Sequence, residues 1–111
     1  MSAVAMNVID TVDLTERENR KAYFQPVMAG LPKAAQDVLQ FVLIDHPYCT
    51  AAKAMAGVFV GLVYRQKVEI FDLYQLDRDN MRKVHNLLEE ACTNVSGWGN
   101  AANAVNTFHN L

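Results

Sequence analysis

His85, Glu89 and Cys92 stand at i, i+4 and i+7 of a helical pattern, so three side chains of metal-ligating type share one side of one helix. A single helix rarely completes a tetrahedral site, and no second ligand pair is spaced to answer this one. His46 and Cys49 are the other histidine and cysteine close together in sequence. The trio therefore reads as a boundary histidine beside a carboxylate and a buried thiol, and no metal is expected. His46 and Cys49 also raise the question of an activated thiolate. Pro47 lies between them, and neither a glycine-rich elbow nor an oxyanion framework is present. No paired-carboxylate motif, phosphate loop or dinucleotide fingerprint appears. The expectation is a protein that is not an enzyme, with no catalytic residue and no cofactor.

Binding chemistry is the next possibility. Arg65, Lys67, Arg78, Arg82 and Lys83 cluster in sequence and could form a local basic patch for nucleic acid. The net charge of −2 supplies no general positive field, and a solvated face carries more weight. A helix-turn-helix is excluded at this point, because the connector from Gln66 to Asp77 is far longer than its tight turn. Trp98, flanked by Gly97 and Gly99, is either an anchor for a partner or the plug that closes the end of a bundle, with the plug favoured. Tyr48, Phe71 and Tyr74 carry the same ambiguity. The partner-binding candidates are Tyr74, Arg78, Arg82 and Trp98.

The elements that must position these residues follow from periodicity. Residues 1–14 are weakly patterned and read as an N-terminal arm, leaving 15–111 as one domain. Thr15 and Glu18 have the spacing of a capping box, which predicts a short helix from Glu16 to about Phe24, stopped or bent at Pro26. Ala35, Val38, Leu39, Val42 and Leu43 predict a second helix from Pro32 to near Asp45, ended by the constraint Pro47 places on His46. Thr50 is positioned to cap a third helix that reaches Tyr64 and is apolar nearly all round, hence central. Val68 and Ile70 alternate with polar residues and allow a short extended piece. Asp77 should cap a fourth helix from Arg78 to about Asn94, with Met81, Val84, Leu88, Ala91 and Val95 as its apolar stripe. Asn100 should cap a last helix. The fold class is all-α: a compact bundle of four to five short helices with one short extended or irregular connector.

Apolar residues make up 51% of the chain and charged residues 20%, a surplus suggesting that some apolar surface is covered by a second copy. Gly57 and Gly61, one turn apart on the third helix, offer a notch where two backbones can meet, either across a homodimer or against the second helix. The apolar run from Ala51 to Tyr64 is shorter than the roughly 20 residues a spanning helix needs. The first residues lack the pattern of a secretion signal. Two cysteines make no disulfide framework, and a cytoplasmic location is expected with both thiols buried.

From Thr50 onward the order of features resembles a set of small bacterial proteins of unknown function associated with plasmids and prophages. The resemblance rests on the Phe-Asp-Leu-x-x-Leu connector formed by Phe71, Asp72, Leu73 and Leu76, followed by Asp77 before the helix. It covers the C-terminal half and implies that Phe71, Leu73 and Leu76 dock the connector while Asp72 ties off backbone amides. It also implies a mobile-element accessory factor. The functional expectation is an interaction or regulatory protein that binds another protein and could modulate a host process such as defence. The alternative is a nucleic-acid-associated regulator using the basic residues between 65 and 83.

Overall fold

The computed structural model describes residues 14–69, 73–93 and 95–111. The arm at 1–13, the end of the extended piece at Ile70, the connector residues Phe71 and Asp72, and the helix end at Asn94 lie outside the described residues. The described chain forms five helices and contains no strand, the all-α bundle expected from periodicity. They are α1 (Leu14–Met28), α2 (Lys33–Leu39) with a π-helical continuation (Gln40–Asp45), α3 (Thr50–Tyr64), α4 (Arg78–Thr93) and α5 (Gly99–His109).

Helix α3 is the centre. Ala52, Met55, Ala56, Val58, Phe59, Val60 and Gly61 are buried on it, and it packs against α2, the π-helical segment, α4 and α5. Its apolar residues point in every direction because neighbours lie on most sides. At the amino end the cap is Cys49 and not Thr50, which is already the first helical residue. The Cys49 sulfur accepts from the Ala52 amide at 3.4 Å, and its thiol donates to the His46 carbonyl at 3.3 Å. A thiol so engaged is half-buried and structural. At the carboxyl end Arg65 takes a left-handed conformation (φ 58°), and the amides of Arg65 and Gln66 both turn back to the Gly61 carbonyl. This closure satisfies the Gly61 carbonyl twice over and folds the connector over Gly61.

The π-helical segment follows the same logic of enclosure. Val42, Leu43 and Ile44 are all fully buried. Three consecutive helical residues can be buried only when neighbours stand on three sides, here α1, α3 and α5. His46 leaves the helix at φ −138°, as the following Pro47 requires.

Helix α1 is longer than its sequence suggests. It runs through Pro26 to Met28, and it is already helical at Leu14, so Thr15 lies inside it and not at its cap. Phe24 and Met28 are the buried residues, one turn apart. Burying a methionine contributes about 1.5–3 kcal/mol, enough to offset most of the roughly 3 kcal/mol that an interior proline costs. Helix α5 begins at Gly99 with Trp98 in the capping position, so Asn100 is its second residue and not its cap. The turn before it needs Gly97 at φ 93°, a conformation that side-chain-bearing residues rarely adopt.

Candidate functional site

The Asp77 side chain starts α4 by accepting from the Asn80 amide at 2.8 Å, the cap expected from sequence. Asn80, Val84 and Leu87 then face the core. Ala91 packs at its edge, and Leu73 and Leu76 of the connector also dock there, half-buried. The next stripe round the helix, about 100° from the core face, holds Met81, His85, Leu88 and Cys92. All four are exposed, Met81 at 37% and Leu88 at 39%. Beyond them lie Arg78, Arg82 and Glu89, also exposed. The apolar arc of α4 is therefore wider than the monomer covers. Its amino-terminal half is the wall of an open hollow of about 530 Å³, lined by Leu76, Asp77, Arg78, Met81, Arg82 and His85.

This hollow brings together two of the expected partner-binding residues, Arg78 and Arg82. Tyr74 stands two residues before Leu76 and is 74% exposed. Trp98 does not join them. It is buried, stacked on Phe59 with ring centroids 5.6 Å apart, and is the plug. Of the two glycines, Gly61 is not open to a second copy. A Cβ on Gly61 would lie 2.7 Å from a Val68 methyl and 3.2 Å from the Gln66 carbonyl oxygen, so the chain's own connector occupies that place. The second helix, the other occupant considered, is not what meets it. Gly57 faces open space, with nothing within 4 Å of its Cβ position.

The residues of metal-ligating type on α4 are also placed differently. His85 and Glu89 are solvent-exposed, 3.8 Å apart, and Cys92 is an exposed free thiol, not a buried one. Among the described residues no group of three such side chains is arranged to hold a metal ion. The basic residues separate as well. Lys83 lies over the Phe41 ring at 5.1 Å, Lys67 lines a different hollow with Lys53 and Glu69, and Arg78 and Arg82 line one hollow together.

A second constellation has no counterpart in the sequence-based reading. Arg20, on α1, donates from Nε to the Leu43 carbonyl at 2.6 Å and lies over the rings of Phe108, Phe24 and Tyr48. The Tyr48 hydroxyl donates to Glu16 at 2.9 Å. From α5, His109 Nε2 meets the Val42 carbonyl at 2.9 Å. Carbonyls 42 and 43 belong to the last turn of a helix, where no amide follows to take them, and these two basic side chains fill that need. Burial lowers the Arg20 pKa from its usual value and raises that of Tyr48, the latter reinforced by the hydrogen bond to Glu16. Arg17 completes the tie by pairing with Asp45 at 2.7 Å. The usable signal was the helical spacing of Glu16, Arg20 and Phe24, set against a helix end just before Pro47. This cluster joins α1, the π-helical segment and α5, and its chemistry is that of a fastening.

Among the described residues no helix is long and apolar enough to cross a membrane. Compared with known proteins, the chain matches no family model, no curated sequence and no solved structure.

Proposed function

We propose that this chain is a non-enzymatic interaction protein that binds another protein through the exposed face of α4. The observation that carries the reading is the pair Met81 and Leu88, two turns apart and each more than a third exposed, with His85 between them and Arg78 and Arg82 along the edge. An apolar centre with an arginine-bearing rim is the usual anatomy of a protein interface. Leu76 of the connector lines the hollow beside this face, and the resemblance it helps carry adds an accessory role on a mobile element, acting on a host process. A cytoplasmic setting goes with an exposed free Cys92.

The test uses the folded protein as bait in extract from its own cells. The wild type and a Met81→Glu/Leu88→Glu variant are compared, with circular dichroism confirming equal helix content. Specific partners should be retained by the wild type and lost by the variant. Equal capture by both would refute the assignment of this face. Nucleic-acid binding is the competing use of Arg78 and Arg82. A labelled duplex titrated at low salt should give no salt-dependent anisotropy change that disappears in Arg78→Glu/Arg82→Glu; such a change would favour the competing use.

A further inference from the structure

We infer that the occupant of the α4 face is a second copy of this chain, laid antiparallel along its own α4. This rests on the reading of that face as a docking surface and names what docks there. Met81, His85, Leu88 and Cys92 follow one another at spacings of four, three and four residues. That is the seam spacing by which two helices interlock side chains. All four are exposed, over a helix about 24 Å long.

Charge selects the direction. The exposed edge of the seam is basic at its start, with Arg78 and Arg82, and acidic later, with Glu89. In an antiparallel pair, Met81 packs by the partner's Cys92 and His85 by the partner's Leu88. On the flank, Arg82 then faces the partner's Glu89, and the twofold axis repeats that pair. A parallel pair would instead bring Arg78, seven residues before His85 and so on the same seam, against its own copy, and would leave Glu89 with no arginine opposite it. Isologous pairing through one self-complementary patch is the commonest route to a closed oligomer. With one helix from each copy the buried area is small, so the association is reversible and concentration-dependent.

Two measurements test it. In sedimentation equilibrium from micromolar to millimolar protein, the mass should rise from 12.4 kDa towards twice that value. Arg82→Glu should weaken association at least tenfold, as should Glu89→Arg, while Arg82→Glu/Glu89→Arg in one chain should restore it. All these positions are exposed, so the fold should be unaffected. In the second measurement Met81→Cys is oxidised mildly. The new thiol should join the partner's Cys92 to give a covalent dimer, whereas within one chain the two positions lie about 16 Å apart along the helix. The wild type, whose two Cys92 thiols sit at opposite ends of the pair, should not crosslink through them. A 12.4 kDa mass at every concentration overturns the self-pairing but leaves the face available to a foreign partner. A dimer indifferent to the charge reversals and to Leu88→Glu overturns both the pairing and the docking surface. Wild-type dimers linked through Cys92 to Cys92 overturn the antiparallel direction.

Discussion

The guanidinium of Arg20 lies 4.3 Å from the centre of the Phe108 ring, joining the first helix of the bundle to the last. The same side chain donates to the Leu43 carbonyl, at a helix end that has no amide of its own to offer. One arginine therefore serves as a cap for the π-helical segment and as packing for α1 and α5.

Replacing Arg20 with alanine should remove a charge-assisted hydrogen bond and an aromatic contact together, a loss of about 2–3 kcal/mol. Arg20→Lys should recover only part of it, because an ammonium cannot place a planar group over Phe108 while reaching Leu43. Urea unfolding of the two variants measures both losses. Equal stability of lysine and arginine at this position would show that charge alone suffices.

His109 should make stability depend on pH. Burial lowers its pKa below the usual imidazole value of 6.5, with Arg20 and Lys53 acting in the same direction against the hydrogen bond to Val42. The unfolded chain then takes up a proton at a pH where the folded chain does not. Stability from this residue is present above about 6.5 and falls as pH drops through that value towards the lower folded pKa. His109→Gln keeps a donor for the Val42 carbonyl and removes the titration. Unfolding curves at about pH 7.5 and about pH 5 should differ more in the wild type than in the variant. An equal difference would assign the pH response to other groups.

The two glycines of α3 should respond oppositely to alanine. At Gly57 the added methyl meets nothing within 4 Å, so Gly57→Ala should stabilise by about 0.5–1 kcal/mol through helix propensity. At Gly61 the methyl would press on Val68 and on the Gln66 carbonyl, and Gly61→Ala should destabilise by about 1–3 kcal/mol. Thermal melts of the pair check the contrast; a stabilising Gly61→Ala would mean that the connector moves freely off the helix.

Trp98 should behave as core and not as an interface residue. Its stack on Phe59 is enclosed, and Trp98→Ala should cost about 3–5 kcal/mol. Guanidinium unfolding measures this, and a near-neutral result would return Trp98 to the list of surface anchors.

Much of this architecture was legible because local rules and burial agreed. Thr50 to Tyr64 is helical as the apolar pattern required, His46 leaves its helix before Pro47, and Asp77 caps α4. Elsewhere tertiary contacts outweigh local signals. Burial of Met28 carries α1 through Pro26, and the caps of α3 and α5 fall on Cys49 and Trp98, residues with weak capping preference. The notch at Gly61 was visible as a spacing, but nothing local says that the chain returns to fill it. Arg78 and Arg82 do lie on one exposed surface with Met81, whereas Trp98 was separated from them by a burial that sequence spacing does not reveal.

The central claim is that the exposed stripe of α4 is where this protein meets another protein chain. Amide chemical shifts of isotopically labelled protein, followed from dilute to concentrated solution, locate any self-contact residue by residue. The account predicts concentration-dependent shifts centred on Met81, Arg82, His85, Leu88 and Glu89, with Tyr23, Asn103 and Thr107 of the hollow between α1 and α5 unchanged. Shifts centred on that other hollow, with α4 silent, would contradict it.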